Sequence, residues 1–298
     1  MGASFVTGAS GFVGRHLVAA LGDAPVVTPS RDALDLLDPD AVLAAVGEAA
    51  PETVFHLAAQ ASVGRSWEAP GEVIQENVAM ALNVLEAVRQ EARDATLVLA
   101  GSGEVYGPPE RLPVDEEAPL RPQNPYAVSK AACDLLARQY ADAHGMRVVC
   151  LRAFNQAGPG QSADYVVGTI AEQIAAAEAR GDTEAVVETG NPDSKRDFID
   201  VRDSARAYVA AAGAAPGTYN VCSGDAVSVR ELVELAAEAA RVPIRHEVRP
   251  GRVRSHDVPE VRGSAAKLEA ETGWRPAIPL AQTVADAIDA LRTQNVAR

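Results

Sequence analysis

The stretch "FVTGASGFVGRHL" (Phe5–Leu17) decides the fold of this 298-residue chain. An apolar run ends there and a helical pattern begins, and between them Gly8, Gly11 and Gly14 recur at every third position. Glycines so spaced permit a tight turn, close approach of the backbone to a pyrophosphate and close packing of helix on strand. N–H groups at the start of the helix then face the diphosphate. The sequence therefore predicts a dinucleotide-binding turn whose cofactor contacts are Gly8, Ser10, Gly11, Phe12, Val13 and Gly14.

Apolar and helical stretches alternate outward from this turn. Strand-like runs occur at "SFVT", "PVVT", "TVFHLAA", "TLVLAGS" and "RVVCLRAF", separated by stretches rich in Ala, Leu and Val. Such alternation is typical of βαβ units. We expect an α/β fold, a Rossmann-type doubly wound parallel sheet with a smaller C-terminal substrate-binding lobe. Residues 1–154 would form the dinucleotide-binding domain, rejoined by about 197–222, whereas 155–196 and 223–298 would form the smaller lobe, whose ligand the resemblance described below implies to be a nucleotide sugar.

The composition excludes several classes of partner. The net charge of −14 disfavours nucleic acid and anionic membranes, so neither is an expected partner. Apolar runs are too short to cross a bilayer, and the first strand begins too early for a signal peptide. Cys133, Cys150 and Cys222 lack metal-ligand spacing, which predicts buried reduced thiols, no metal site and a cytoplasmic protein. His56 follows an apolar strand and is interpreted as a core residue.

The end of the second strand bears on the choice of cofactor. An acidic residue there would accept from the ribose 2′-hydroxyl of NAD, whereas an arginine would suit the 2′-phosphate of NADP. Ser30 and Arg31 precede Asp32 in "PVVTPSRD". Because Arg31 comes before Asp32, the segment favours NADP(H), with NAD(H) as the alternative. Ser30 and Arg31 are therefore candidate cofactor contacts.

The segment "PYAVSKAACDLL" (Pro125–Leu136) opens a predicted helix with Tyr126 and Lys130 one turn apart. Residues at this spacing are neighbours on a helix surface. A nearby cation favours the phenolate, so Lys130 is expected to lower the pKa of Tyr126 and let it exchange a proton near neutral pH.

With GxxGxxG near the start and YxxxK at 126–130, the whole chain resembles the extended short-chain dehydrogenase/reductases, the NAD-dependent epimerase/dehydratase family. Further segments match in order: "ALDLLD", "HLAAQASV", "GSGEVYG", "RAFNQAGPGQ", "KRDFIDVRD", "YNVCSG" and "TGWRP". The resemblance implies that Ser102, Glu104, Tyr126 and Lys130 are catalytic. It also implies cofactor contacts, Tyr126 and Lys130 among them, from Asp35, Leu36, Leu57, Ala58, Ala59, Asn77 and Ala153.

The substrate implied by the resemblance is a nucleotide-diphosphate sugar. Its contacts would come from Gln60, Ser62, Asn155 and Arg196. Arg249, Arg252 and Arg254 in "RPGRVR" concentrate positive charge in an acidic chain, and arginine forks suit diphosphate oxygens. We therefore expect this cluster to bind the diphosphate.

Within the family, the motifs are most similar to reductases of GDP-linked sugars. They imply NAD(P)H-dependent reduction of the C4 ketone of a 4-keto-6-deoxyhexose, with GDP-4-keto-6-deoxy-D-mannose as the expected substrate. A 4-epimerase that retains NAD is the main alternative. A 4,6-dehydratase is disfavoured because Gly103 stands where those relatives carry Ser or Asp, and a non-catalytic nucleotide-binding regulator would not need the complete Ser, Tyr and Lys set. A homodimer through the helices near 74–90 and 127–143 is also implied.

Overall fold

Helices and strands alternate along the chain in a computed structural model, which describes residues 2–249 and 258–296. A 3-10 turn, Gly103–Tyr106, follows β4. The strands are β1 (Ser4–Thr7), β2 (Val26–Val27), β3 (Thr53–His56), β4 (Thr96–Ala100), β5 (Arg147–Ala153), β6 (Asn155–Ala157), β7 (Ala185–Thr189), β8 (Lys195–Asp200), β9 (Gly217–Val221), β10 (Ala226–Ser228), β11 (Ile244–Val248) and β12 (Glu260–Val261). The helices are α1 (Phe12–Leu21), α2 (Pro39–Ala49), α3 (Val63–Glu68), α4 (Pro70–Glu91), α5 (Pro125–His144), α6 (Val166–Arg180), α7 (Val201–Ala211), α8 (Val229–Ala239), α9 (Ala266–Thr272) and α10 (Leu280–Val296).

The largest sheet has six strands in the order β2-β1-β3-β4-β5-β9. Every neighbouring pair in it is parallel. Because β2 and β3 lie on opposite sides of β1, the strand order reverses there. A crevice for a ligand forms outside the carboxyl ends of strands at such a point. The predicted α/β, Rossmann-type fold class is confirmed, and the glycine turn lies at this reversal.

Successive residues along each strand point to opposite faces of the sheet, and both faces are covered by helices. Phe5 and Val54 belong to the cluster that includes residues of α2, α4 and α5. Val6 and Phe55 belong to the cluster that includes residues of α1 and α7. All four side chains are almost completely buried, and each contributes roughly 1.5–3 kcal/mol of burial free energy. Apolar runs without polar alternation are the consequence of this two-sided burial.

The elements from β6 to β8 and from β10 to α10, called the C-terminal region below, form two smaller sheets. Strand β8 pairs with β10, β12 and β6, and β7 pairs with β11. Helices α6, α8 and α10 supply the apolar core of this region. The buried carboxylate of Asp197 accepts from the backbone N–H groups of Ser223, Gly224 and Gly263 at 2.8–3.1 Å. This carboxylate thereby joins β8 to the segments before β10 and after β12.

Helix α5 begins where the sequence dictates. The side chain of Asn124 accepts from the N–H of Ala127 at 2.8 Å, and Pro125 fills the first helical position. An asparagine cap followed by proline is a strong start signal, since proline lacks the N–H that would otherwise be unsatisfied. Gly145, with φ of 65°, ends the helix. Tyr126 is therefore held in the first turn of α5.

Two further predictions concern residues within the described ranges. Cys133, Cys150 and Cys222 are free and buried, as the sequence predicts. Within 2–249 and 258–296, no helix has both the length and the hydrophobicity required to span a bilayer.

Candidate active site

The glycine turn leaves no space for side chains at two positions. A Cβ on Gly14 would lie 2.1 Å from the carbonyl oxygen of Gly8, and one on Gly8 would lie 2.7 Å from the backbone nitrogen of Ala58. Gly8 also has a φ of 74°, which disfavours other residues. Gly11 donates its N–H to the Gly8 carbonyl at 3.0 Å and is the N-cap of α1. The turn thus presents backbone and a helix N-terminus to a ligand, which fits the diphosphate of a dinucleotide.

The first turn of α1 also contacts the loop after β6. Phe12 packs edge-on against the ring of His16, with 5.9 Å between centroids. His16 Nε2 donates to the carbonyl oxygen of Pro159 at 3.0 Å, and Arg15 donates to that of Gly160 at 3.3 Å. The remaining predicted residues of the turn are Ser10, which is exposed, and Val13, which is half-buried. This arrangement brings a loop of the C-terminal region to the predicted diphosphate position.

The segment after β2 carries the residues expected near the adenosine ribose. Ser30 accepts from a backbone N–H three residues on at 3.3 Å, and Asp35 accepts from one two residues on at 2.9 Å. Leu36 packs against the core beneath α2 and α4. Arg31 and Asp32 are both exposed. The structure therefore leaves a cation and a carboxylate accessible at this end, and both cofactor alternatives remain.

Asn77 was expected to contact the cofactor, but its side chain bonds within the protein. It is buried, accepts from the N–H of Gln60 at 2.7 Å and donates to the Ser129 hydroxyl at 2.9 Å. Both polar atoms are used within the protein, which gives Asn77 a supporting role, and its contact with the cofactor stays a prediction. Asn77 holds the segment that follows β3, on which Leu57, Ala58 and Ala59 are half-buried.

His56 is a core residue, as predicted. Its ring is buried, and Nδ1 shares a hydrogen bond of 2.8 Å with the Thr7 hydroxyl. Burial, with a smaller effect from the charge of Lys130, lowers the pKa of His56 to about 3. The imidazole is therefore neutral near pH 7.

Ser102, Tyr126 and Lys130 come together at the carboxyl end of the sheet. Ser102 follows β4, while Tyr126 and Lys130 lie in α5. The Lys130 ammonium lies 6.0 Å from the centre of the Tyr126 ring and donates to the carbonyl oxygen of Ala100 at 2.8 Å. Ala153, another predicted cofactor contact, is buried at the end of β5. The end of β4 and the first two turns of α5 thus bring the predicted catalytic set together.

The pKa of Tyr126 departs from the sequence expectation. Burial raises this pKa well above 10, a hydrogen bond with Ser102 lowers it, and the charges of Glu104, Tyr165 and Cys133 raise it. The sequence predicts that Lys130 lowers this pKa, but burial has the largest effect and the net shift is upward. Burial also lowers the pKa of Lys130 itself. The correction has a chemical consequence, because a protonated phenol is the form that can donate a proton to a ketone oxygen.

Two neighbours of Ser102 have structural roles. Glu104 accepts from the side chain of Asn124 at 3.2 Å and so holds the residue that caps α5. A Cβ on Gly103 would lie 3.1 Å from the ring of Phe154. Contacts that short require the ring to shift, so this turn has little room for a side chain beside Ser102.

The predicted substrate contacts lie around β6, β8 and α3. Asn155 is half-buried in β6. Ser62 caps α3 by accepting from the N–H of Arg65 at 3.2 Å, and Gln60 donates to Glu76 at 2.8 Å. Arg196 donates to the carbonyl oxygen of Val258 at 2.7 Å. The side chains of Gln60, Ser62 and Arg196 are therefore held by protein groups.

The arginine cluster is only partly described. Arg249 forms ion pairs with Glu188 and, at 3.7 Å, with Glu247. These carboxylates compensate its charge in this structure, and its binding of the diphosphate stays a prediction. Arg252 and Arg254, the other members of the cluster, lie outside the described residues.

Tyr165 is a site residue that the sequence analysis missed. It is exposed at the start of α6, and its hydroxyl donates to the carbonyl oxygen of Ala61 at 3.5 Å. Ala61 lies between the predicted substrate contacts Gln60 and Ser62, so this hydrogen bond places Tyr165 beside them, and its charge also raises the pKa of Tyr126. It lies far from Tyr126 in the sequence and outside any motif, so no signal indicated it.

A family model described as GDP-mannose 4,6 dehydratase matches residues 31–287 of the chain. The GDP-6-deoxy-D-mannose reductase of Pseudomonas aeruginosa is 40% identical over 287 residues, which cover 94% of each chain. Both matches include Ser102, Tyr126 and Lys130.

Solved structures show the same similarity. The structure of RMD from Pseudomonas aeruginosa complexed with NADPH superimposes with a TM-score of 0.87 and 36% identity, covering 99% of this chain and all of that one. The UDP-glucose 4-epimerase of Thermus thermophilus in complex with NAD gives a TM-score of 0.86 and 32% identity, covering 97% and 99% of the two chains. The described fold is thus shared over nearly its whole length with a reductase and an epimerase.

Proposed function

The chain belongs to the GDP-mannose 4,6-dehydratase family within the NAD-dependent epimerases and dehydratases, and we propose that it is the reductase type of enzyme in that family. It is an NAD(P)-dependent oxidoreductase that acts on a nucleotide sugar. The reaction is reduction of the C4 ketone of a nucleotide-linked 4-keto-6-deoxyhexose. GDP-4-keto-6-deoxy-D-mannose is the proposed substrate and a GDP-6-deoxyhexose the product.

The chemistry follows from the residues at the carboxyl end of the sheet. The glycine turn would hold the reduced nicotinamide cofactor, which would supply the hydride for C4. Tyr126 donates its phenolic proton to the oxygen on C4, and Ser102 hydrogen-bonds the same oxygen and orients it. The protonated state of buried Tyr126 suits this direction of reaction. Lys130, one helical turn from the phenol, is proposed to hold the ribose of the cofactor with its ammonium.

The observation that carries the choice of reaction is the packing of Gly103 against Phe154. Elimination of water between C5 and C6 needs an acid beside Ser102, and Gly103 supplies no side chain there, while a Cβ at this position would lie only 3.1 Å from the Phe154 ring. Reduction needs only Ser102, Tyr126 and Lys130. The 4-epimerase remains the alternative because it would use the same three residues.

NADPH is the proposed reductant, with NADH as the alternative. Arg31 is exposed after β2 and can pair with a 2′-phosphate, since arginine binds phosphate oxygens through a fork of donors. The structure of RMD was solved with NADPH, which supports the same choice.

A panel of nucleotide sugars tests the proposal. GDP-, dTDP-, UDP- and CDP-linked 4-keto-6-deoxyhexoses are each mixed with enzyme and NADPH or NADH, and the loss of reduced-nicotinamide absorbance is followed. We expect turnover with the GDP-linked sugar and NADPH. Protein that is purified with bound NAD and interconverts C4 epimers without added reductant would contradict the reductase and establish the epimerase.

We also propose a homodimer formed through α4 and α5. The outer surface of these helices exposes Leu82, Val128 and Leu135, the last with 57% of its surface accessible. Light scattering during size-exclusion chromatography should give twice the chain mass, and a monomer at micromolar concentration would contradict the dimer.

A cytoplasmic location is proposed because three free thiols are typical of a reducing compartment.

A further inference from the structure

A buried guanidinium lies behind the predicted catalytic residues. Arg152 is at the end of β5 with 8% of its side chain accessible. Its Nε donates to Asp134 Oδ2 at 2.6 Å, and one terminal nitrogen donates to the Tyr106 hydroxyl at 2.8 Å. The same nitrogen donates to the carbonyl oxygen of Glu116 at 3.1 Å. One cation is therefore bonded to three separate segments of the chain.

Strand β9 completes this network. Asn220 accepts from the Tyr106 hydroxyl at 2.7 Å, and Thr218 donates to the second oxygen of Asp134 at 3.1 Å. Both carboxylate oxygens of Asp134 are thus bonded. A buried ion pair whose partners are further hydrogen-bonded resists local rearrangement, because any shift leaves a charge unsatisfied in a region of low dielectric.

The network joins the two elements that carry the catalytic set. Tyr106 ends the 3-10 turn that starts directly after Ser102. Asp134 lies in α5 one helical turn beyond Lys130 and two turns beyond Tyr126. Arg152 therefore connects the Ser102 turn to α5 on the side away from the cleft.

A second connection lies at the other end of the same two elements. The Glu104 carboxylate in the 3-10 turn accepts from Asn124, which caps the first turn of α5. Two separate points of attachment fix both the distance and the relative rotation of the two elements. One point alone would leave a hinge.

We propose that Arg152 is a positioning residue that sets the placement of Ser102 relative to Tyr126. The inference rests on the proposed function, because its effect is on proton donation to the C4 oxygen. Asp134 and Tyr106 are the two groups through which Arg152 acts. A displacement of about 1 Å in such a pair can lower a rate roughly 100-fold.

The C-terminal region offers a matched control. Arg292 of α10 pairs with Glu178 of α6 at 2.6 Å, with 13% and 8% of their side chains accessible. This ion pair is about as buried as that of Arg152 and Asp134, but it joins helices that carry no predicted catalytic residue. Its loss should affect stability alone.

The test compares Arg152→Lys with Arg292→Lys, using NADPH and GDP-4-keto-6-deoxy-D-mannose. Lysine keeps the charge but cannot reach Asp134 and Tyr106 with one planar fork. We expect kcat of Arg152→Lys to fall roughly 10- to 100-fold, with KM for both substrates within about threefold of wild type. Both variants should lose thermal stability, while Arg292→Lys keeps its kcat. Wild-type kcat in folded Arg152→Lys would overturn the inference.

The pH profile of kcat gives a readout that stability does not affect. Ser102 is the neighbour that lowers the pKa of Tyr126, whereas Glu104, Tyr165 and Cys133 raise it. Displacing Ser102 should therefore move the alkaline limb of the profile to higher pH in Arg152→Lys. An unchanged limb would overturn the inference.

Tyr106→Phe serves if Arg152→Lys does not fold, because it removes only the hydroxyl that links Arg152 to the Ser102 turn. We expect the same fall in kcat and the same pH shift, and wild-type values would overturn the inference.

Crystal structures separate this inference from the proposed function. If wild type does not oxidise NADPH, the proposed function is wrong. A longer distance from Ser102 Oγ to the Tyr126 hydroxyl in the variant would still support the positioning role of Arg152, whereas an unchanged distance would overturn it.

Discussion

The carboxyl edge of the six-stranded sheet and the C-terminal region build their parts of the site in different ways. At the sheet edge, backbone geometry fixes the positions, since Gly8 and Gly14 approach neighbouring backbone too closely for a side chain. In the C-terminal region, side chains fix them, since Arg196 and Arg249 are held by a carbonyl group and by carboxylates. Backbone constraints tolerate no substitution, whereas side-chain pairs can be exchanged. The comparison teaches that the glycine turn has little freedom to change, whereas the C-terminal region, where we propose that the substrate binds, can change by exchange of side chains.

The largest expected effect is at the sheet edge. Tyr126→Phe should lower kcat by roughly 10²–10⁴-fold while the protein stays folded, because only the proton donor is removed. Tyr140→Phe is the control, since this buried phenol of α5 donates to Glu86 away from the cleft. Steady-state kinetics on both variants sharpen the comparison. Turnover near the wild-type rate in Tyr126→Phe would remove Tyr126 from the mechanism.

A pair of glycines tests the backbone constraint itself. Gly14→Ala should weaken NADPH binding at least about tenfold, since the new methyl would collide with the Gly8 carbonyl. Gly181, at the end of α6, has a φ of 75° but no atom within 4 Å of a built Cβ. Gly181→Ala should therefore cost only about 1 kcal/mol of stability.

Isothermal titration with NADPH and thermal unfolding measure the two effects. Equal NADPH affinity in Gly14→Ala and wild type would contradict the backbone constraint proposed for the sheet edge, because the glycine turn would then tolerate a side chain.

A further prediction concerns the pH dependence of stability at two histidines. The folded pKa of His56 is about 3, below its unfolded value near 6.5, so the unfolded state binds the extra proton between these values. The stability contributed by neutral His56 is present above pH 6.5 and is lost, at up to about 1.4 kcal/mol per pH unit, as the pH falls towards 3. Denaturant unfolding from about pH 7 to about pH 4 should show a shallower decline in His56→Asn.

His246 in the C-terminal region provides the matched histidine. Burial lowers its pKa as well, but the ring is only half-buried and bonded to Thr189 at 2.7 Å. His246→Asn should flatten the pH dependence less than His56→Asn. A larger effect at His246 would contradict the expectation that the more deeply buried histidine, His56 at the sheet edge, has the larger effect on stability.

The sheet was predictable from the sequence because its signals are local. Each buried strand is an apolar run, and the glycine turn and the asparagine–proline start of α5 lie within a few residues of the groups they position. The short extent of β2 and the pairing of β8 with β6, β10 and β12 were not predictable. Short strands carry little pattern, and their partners are distant in sequence.

The sequence predicted which residues form the catalytic set, but not the surroundings that determine their pKa values. Tyr126, Ser102 and Lys130 were found by motif, but the direction of the Tyr126 pKa depends on burial, which spacing does not reveal. The network of Arg152 and Asp134 was missed for a related reason. A charged residue in an apolar strand gives no sign of which distant groups will satisfy it.

Isotope transfer tests the central claim most directly. NADPH carrying deuterium at both hydrogen positions of nicotinamide C4 is incubated with the enzyme and GDP-4-keto-6-deoxy-D-mannose, and the sugar is analysed by mass spectrometry and NMR. The account predicts one deuterium at sugar C4 for each NADPH oxidised. Recovery of the unreduced keto sugar without deuterium, while NADPH is not consumed, would contradict it.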